Sequence, residues 1–262
     1  MKIASWNIMH GEIVTAGKSD DALALLKESV LAINAQVIGL QEVDHLHPRS
    51  GSINQAKEIA QSMKAQDWAF APCFYVIEDQ QINIDPKETP IITNANESTT
   101  AAYGIAIISR IPVQEWRRHN LPLAKLGKFM TISTNGKLVR IYATDHSRCA
   151  LAAVLADVIL INVHLSFIWP FNWRQFQSVK KWASELEAEF KRPVFIMGDL
   201  NLRRLGWGNR WHSLIDSVTF PVWKPKRQID YFLSKNVFNV SSHIYTSAIS
   251  DHFAISMDIT IE

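Results

Sequence analysis

The chain has 262 residues, 47% of them hydrophobic, and its 27 Lys and Arg against 25 Asp and Glu leave a net charge of +2. That apolar content supplies a sizeable core, while the near-balanced charge gives no global field strong enough to imply nucleic acid, so any basic surface is local. Two cysteines, Cys73 and Cys149, lie far apart in no metal-ligand spacing; they exclude a disulfide scaffold or zinc site and read as buried thiols.

The N-terminus runs straight into a strand pattern over residues 2–8, with no apolar leader, and no run reaches the ~18 apolar residues that span a bilayer. A cytoplasmic protein with no stable membrane insertion is therefore expected. That first strand breaks at His10-Gly11 and leaves Asn7 at its end. From Ser19, a candidate N-cap followed by Asp20 and Asp21, the apolar Leu23, Leu26, Val30 and Ile33 recur at helical spacing to Asn34. Residues 37–40 form a short buried strand, followed at once by Gln41-Glu42-Val43-Asp44, so Glu42 is expected at a strand's carboxyl end. A helix over 54–63 and extended structure over 68–72 come next, and residues 78–100, without sustained period, read as a long surface loop. Strands are expected over 103–109, 113–119, 138–143, 149–155 and 158–163, the last ending at His164. Over 172–190, Phe176, Val179, Trp182, Ala183, Leu186 and Phe190 follow a helical spacing, with Lys180, Lys181, Glu185 and Glu189 on the other side. Val194-Phe195-Ile196-Met197 is a strand buried on both faces that breaks at Gly198 and delivers Asp199 and Asn201 to its end. An irregular stretch to Arg227 precedes a strand over 229–233, and residues 254–261 close the chain with apolar and polar residues in alternation. No linker divides the sequence, so residues 1–262 are expected to form one domain of two packed sheets with helices outside.

Five segments share one habit, an apolar strand followed by a chemically capable residue: Asn7, Glu42, His164, Asp199 with Asn201, and Asp251-His252. Together they describe a site at one end of a sandwich, where loops converge on a rigid scaffold. Glu42, Asp251 and the amide oxygen of Asn7 are hard oxygen donors that suit Mg²⁺ or Mn²⁺ and do not suit zinc. Asp199 can accept a proton from an attacking water, with Asn201 supporting it, and His164 and His252 can contact phosphoryl oxygens or protonate a leaving group. Asp230 either holds one histidine in its working tautomer or forms a structural salt bridge with Lys226 or Arg227.

The ordered set Trp6-Asn7-Ile8, Gln41-Glu42-Val43, Asn162-Val163-His164-Leu165, Gly198-Asp199-Leu200-Asn201, Ile229-Asp230-Tyr231 and Ser250-Asp251-His252 resembles the endonuclease/exonuclease/phosphatase superfamily, the deoxyribonuclease-I-like fold. The resemblance spans essentially the whole chain. It implies a four-layered α/β sandwich, two mainly antiparallel sheets flanked by helices, and metal-dependent attack of water on a phosphate ester. By the same likeness Glu42, Asn7 and Asp251 serve the metal, Asp199 and Asn201 the water, Asp230 pairs with His252, and His164 is the second phosphate-contacting or acid histidine. Pro48-Arg49-Ser50-Gly51, Tyr103-Gly104-Ile105-Ala106 and His164-Leu165-Ser166-Phe167 are similar to a bacterial branch of undefined substrate. Branches acting on abasic DNA carry a tyrosine-containing segment where this chain has Asn162-Val163-His164-Leu165, which argues against that activity. No carboxylate partner for His164 is identified.

For the substrate, Arg192, Arg203, Arg204, Arg210, Lys224, Lys226 and Arg227 are interleaved with Trp207, Trp211 and Trp223, as in a nucleic-acid groove or a solvated basic loop over core tryptophans. Arg148 and Tyr103 join Arg203 as candidate substrate contacts. The apolar run 167–173, with Trp169 and Phe171, competes by resembling a lipid-interface element if exposed, or a helix anchor if buried. The expected function is a phosphodiesterase on nucleic acid, with a small or lipid phosphate ester as alternative and a non-catalytic binding module behind both.

Overall fold

The computed structural model describes residues 1–14, 21–124, 126–134, 137–206, 210–236, 238 and 240–260. In chain order the elements are β1 (Lys2–Asn7), α1 (Ala22–Ile33), β2 (Val37–His45), α2 (Gln55–Met63), β3 (Asp67–Ile77), β4 (Gln80–Asn83), β5 (Ile92–Thr93), β6 (Ala102–Ser109), β7 (Glu115–Leu121), β8 (Gly127–Thr134), β9 (Lys137–Thr144), β10 (Arg148–Val154), β11 (Ile159–His164), α3 (Phe171–Phe190), β12 (Val194–Asp199), β13 (His212–Ser213), β14 (Asp230–Ser234), β15 (Ser241–Tyr245) and β16 (Ala254–Asp258). An eight-stranded sheet runs β15-β16-β1-β2-β6-β3-β4, with β5 on β3, and a six-stranded sheet runs β13-β14-β12-β11-β10-β7. Among the described residues, strands β8 and β9 pair only with each other. Two of the pairings, β1 with β2 and β11 with β12, are parallel.

Period-two side-chain alternation assembles these sheets into layers. In β6, Ile105 and Ile107 face the second sheet while Ala106 and Ile108 face α1 and α2. In β12, Phe195 and Met197 enter the core between the sheets, and Val194 and Ile196 turn outward under α3. Both faces of these strands are covered, which is why they read as unbroken apolar runs. Leu26, Val30 and Ile33 of α1 and Ile59 and Met63 of α2 cover the first sheet, and Phe176, Val179, Ala183 and Leu186 of α3 cover the second. The result is the expected four-layered sandwich.

Two glycines set local geometry. Gly198 adopts φ 130°, and a Cβ there would stand 2.0 Å from the Val163 carbonyl oxygen, so only glycine lets β12 lie this close to β11. Gly104 faces Ala71 in the same way, with 2.1 Å to its carbonyl oxygen.

Several boundaries differ from the sequence reading. Asp21 is the N-cap of α1, accepting from the Leu23 and Ala24 amides; Ser19 and Asp20, like Trp207 and Ile261, lie outside the described residues. Strand β2 does not stop at Leu40. It continues to His45 through an irregularity in its pairing with β6 between Leu40 and Val43. Within the expected 78–100 loop lie β4 and β5, and Glu78 and Asp79, at φ 48° and 61°, form the turn between β3 and β4 that twin positive-φ residues favour. The pair Asp251-His252 precedes β16 instead of directly following an apolar strand.

Candidate active site

Five strand ends, together with the β2 irregularity that carries Glu42, bring the predicted residues to one edge of the sandwich. Strands β1, β11 and β12 end there, and β14 and β16 begin there because each runs antiparallel to a neighbour, β12 and β1 respectively. Asn7 bridges the two sheets: its Nδ2 donates to Glu42 Oε1 at 3.0 Å and to Asp199 Oδ2 at 3.2 Å. Its Oδ1 accepts from the Met9 amide, which uses one of that oxygen's two lone pairs, while Nδ2 fixes the two carboxylates. Glu42 sits in the β2 irregularity at φ 57°, not at a strand end, and this bulge turns its side chain into the cleft.

Asp199 is 1% exposed. Its Oδ1 accepts from the Asn201 amide at 2.8 Å, and its Oδ2 lies 3.6 Å from both His164 Nε2 and His252 Nε2. The Asn201 side chain donates to the Leu165 carbonyl, so Asn201 supports Asp199 through its backbone. His252 Nδ1 donates to Asp230 Oδ2 at 2.9 Å, and Thr219 Oγ1 donates to the same oxygen at 2.5 Å. The ion pair of Asp230 is thus with His252 and not with Lys226 or Arg227. His164 has no separate carboxylate partner among the described residues; Asp199 and, at 4.0 Å, Glu42 face its Nε2.

These neighbours split the titrating groups. Burial and then the Asp230 charge, opposed by His252, push Asp199 up to about 7. For His252 burial works downward, but the charges of Asp230 and Asp199 overcome it and lift the ring to about 10, so it is cationic at neutral pH. Burial, with the positive charge of Arg148 adding, holds His164 well below its ordinary value. A neutral His164 suits a phosphate contact and does not suit a proton donor at pH 7.

A cleft of about 900 Å³ opens over this edge. Glu42, Tyr103, Arg148, His164, Asp199, Asn201, Arg203, Asp251 and His252 line it, while Asn7 and Asp230 stand behind it. Arg148 and Tyr103 are buried at one wall. Of the expected basic segment only Arg203, Arg204 and Arg227 line the cleft; Arg192 is tied to Gln114 and the Leu155 carbonyl. Trp211 is buried and Trp223 exposed, and the 167–173 run divides, with Ile168 in the core and Trp169, 77% exposed, at the cleft rim. Lys128, His146, Thr219 and Phe220 also belong to the site and were missed: Thr219 carries no strand signal, and Lys128 reaches the cleft from the hairpin.

Asp199, Asp230 and His252 place ligand atoms within 4.8 Å of one another. Asp230 and His252 are spent on each other, however, and a cationic imidazole does not ligate a metal. Glu42 and Asp251 fit a divalent cation better: both are carboxylates on the cleft wall, and burial and then the Glu42 charge raise Asp251, a repulsion that a cation relieves.

The model of the Endonuclease/Exonuclease/phosphatase family matches residues 4–252. The chain belongs to the endonuclease/exonuclease/phosphatase family. Members of the endonuclease/exonuclease/phosphatase family are usually hydrolases of phosphate esters and typically depend on a divalent metal. No curated protein matches the chain. Among solved structures it is similar to an endonuclease/exonuclease/phosphatase from Beutenbergia cavernae, 17% identical over 99% of this chain and 71% of that one, TM-score 0.64. It is also similar to a mannosyl-6-phosphatase from Bacteroides thetaiotaomicron, 13% identical over 99% of each chain, TM-score 0.60. A third is beta toxin from Staphylococcus aureus, 16% identical over 99% of each chain, TM-score 0.57. At these identities the likeness establishes the shared fold. No helix of the described residues is long and apolar enough to cross a membrane.

Proposed function

We propose that this chain is a Mg²⁺- or Mn²⁺-dependent phosphodiesterase acting on nucleic acid. The observation that carries the reading is Asp199, buried and oriented by Asn7 and the Asn201 amide, with both histidine Nε2 atoms at 3.6 Å. Held near neutrality, Asp199 takes a proton from water as that water attacks phosphorus in line with the leaving oxygen. Cationic His252, oriented through Nδ1 by Asp230, donates from Nε2 to a phosphoryl oxygen, and neutral His164 orients another. Tyr103, whose hydroxyl burial keeps protonated, and Arg148 bind the phosphate from the β10 side, with Arg203 opposite. A divalent ion held by Glu42 and Asp251, beside Asn7, would neutralise charge on the phosphoryl group.

A diester is favoured because cations flank the reaction centre on both sides of the sheet order, Arg148 at β10 and Arg227 before β14, with Trp169 and Trp173 exposed at the rim. The second reading is a small phosphate ester, as the name of the mannosyl-6-phosphatase fold relative suggests; exposed Trp169 also suits a lipid headgroup. Hydrolysis of DNA, RNA, lipid-headgroup and phosphomonoester substrates by wild type and Asp199→Ala, with Mg²⁺, Mn²⁺ or chelator, decides among these. Metal-dependent cleavage of polynucleotide that the variant loses is expected; equal rates for the two proteins would sink this assignment.

A further inference from the structure

The segment leading into β10 carries polar groups that proton transfer leaves unused. Arg148 is 4% exposed, and its Nε and Nη2 both donate to Asp145 Oδ1, at 3.2 and 3.0 Å. Its Nη1 is buried with no partner. Buried N–H groups are almost always satisfied, so an acceptor supplied from the cleft is the natural completion.

Two residues earlier, the His146 ring packs against Phe74 and Tyr103 at centroid distances of 4.9 and 5.2 Å and lines the same cleft. Its Nδ1 lies 2.9 Å from the Ser147 carbonyl oxygen, which can only accept, so Nδ1 carries the proton. Burial, followed by the Arg148 charge, holds the ring well below its ordinary value and hence neutral. Nε2 is then a lone-pair acceptor, and it has no hydrogen-bond partner among the described residues. The Ser147 amide and hydroxyl donate to Asn83 Oδ1 at 2.9 and 3.2 Å, so the segment is pinned before a ligand arrives.

We propose that His146 and Arg148 form a two-point recognition element, Arg148 Nη1 donating to a phosphate oxygen and His146 Nε2 accepting from a hydroxyl on the neighbouring carbon framework. This rests on the phosphoesterase reading and deepens it: the preferred substrate is a phosphate ester with a free hydroxyl near the phosphate, as in ribose or hexose phosphates, over its deoxy counterpart. A hydroxyl satisfies Nε2, whereas a deoxy substrate covers that nitrogen and leaves it unpaired.

The test compares kcat/KM for a matched ribo- and deoxyribo-oligonucleotide pair, and for a hexose phosphate and its 2-deoxy analogue, with wild type, His146→Phe and His146→Gln. Wild type should favour the hydroxyl-bearing member of at least one pair by about tenfold. Preference in the ribose arm identifies a polynucleotide, and in the hexose arm a small sugar ester. His146→Phe, which keeps ring packing between Phe74 and Tyr103, should bring the ratio close to one. His146→Gln, whose amide oxygen accepts, should restore part of it. A merely structural histidine would alter both members alike, and an unchanged ratio in His146→Phe overturns the proposal. Calorimetric binding of a ribonucleoside monophosphate against its deoxy analogue, and of a hexose phosphate against its 2-deoxy analogue, reads the same discrimination without turnover. Equal wild-type affinities within both pairs sink this inference, while absence of any hydrolysis sinks the phosphoesterase reading instead.

Discussion

Replacing Asp230 by Asn should uncouple His252 from the charge that keeps it protonated. Asp230 Oδ2 accepts from Thr219 and His252, and its Oδ1 is buried without a partner. Although burial opposes it, the Asp230 charge leads the effects that lift His252 to about 10 from 6.5. A folded value above the unfolded one means that His252 adds stability fully present below pH 6.5 and lost as pH rises through 10. The difference of 10 − 6.5, at about 1.4 kcal/mol per unit, bounds the contribution at roughly 5 kcal/mol, part of which belongs to Asp199. Asn keeps the size and can still accept from Thr219 and His252, but it removes the charge and buries an amide N–H where Oδ1 was, at about 1–2 kcal/mol. The variant should therefore be less stable than wild type at neutral pH by about 3–5 kcal/mol, narrowing to about 1–2 kcal/mol at high pH. Denaturant unfolding of chelator-treated protein between about pH 6 and pH 10 measures this, alongside an NMR titration of the His252 ring. A His252 that still titrates near 10 in Asp230→Asn, or a stability difference that is flat in pH, refutes the reasoning.

Glu42→Gln should weaken Mg²⁺ or Mn²⁺ binding, followed by calorimetry, at least about tenfold; unaltered binding would assign the cation elsewhere. Gly198→Ala, whose Cβ would meet the Val163 carbonyl at 2.0 Å, should lose about 3 kcal/mol or more in denaturant unfolding, because β11 and β12 must separate. A loss within the range of an exposed substitution would contradict the close strand approach. Joint substitution of Arg203 and Arg227 by Ala should lower oligonucleotide affinity and reduce its logarithmic salt slope by about 1–2. An unchanged slope would move the nucleic acid away from this wall and favour a small ester.

Much of the site was legible because strand ends leave a plain signal. The run Val194 to Met197 announces a doubly covered strand, Gly198 marks its close approach to β11, and Asp199 follows at once. Glu42 was read as a strand-end residue because a bulge inserts no sequence signal of its own: the strand pattern simply resumes at Val43. Strand β15, Ser241–Tyr245, is a largely exposed edge with no apolar run, and Gln80–Asn83 is exposed throughout, so neither announced itself. Thr219 owes its place in the site to a tertiary hydrogen bond with Asp230 and His146 to a ring stack with Phe74, which local pattern does not encode. The tryptophans illustrate the same limit, since only the fold buries Trp211 and exposes Trp169 and Trp223.

The central claim is that water held at Asp199 attacks phosphorus. It is tested most directly by single-turnover hydrolysis of a phosphodiester in ¹⁸O-labelled water with Mg²⁺ or Mn²⁺, for wild type and Asp199→Ala. One labelled oxygen in the phosphate product, none in the alcohol, and a rate about 10³-fold lower in the variant are expected. Label in the alcohol, or a variant as fast as wild type, would contradict it.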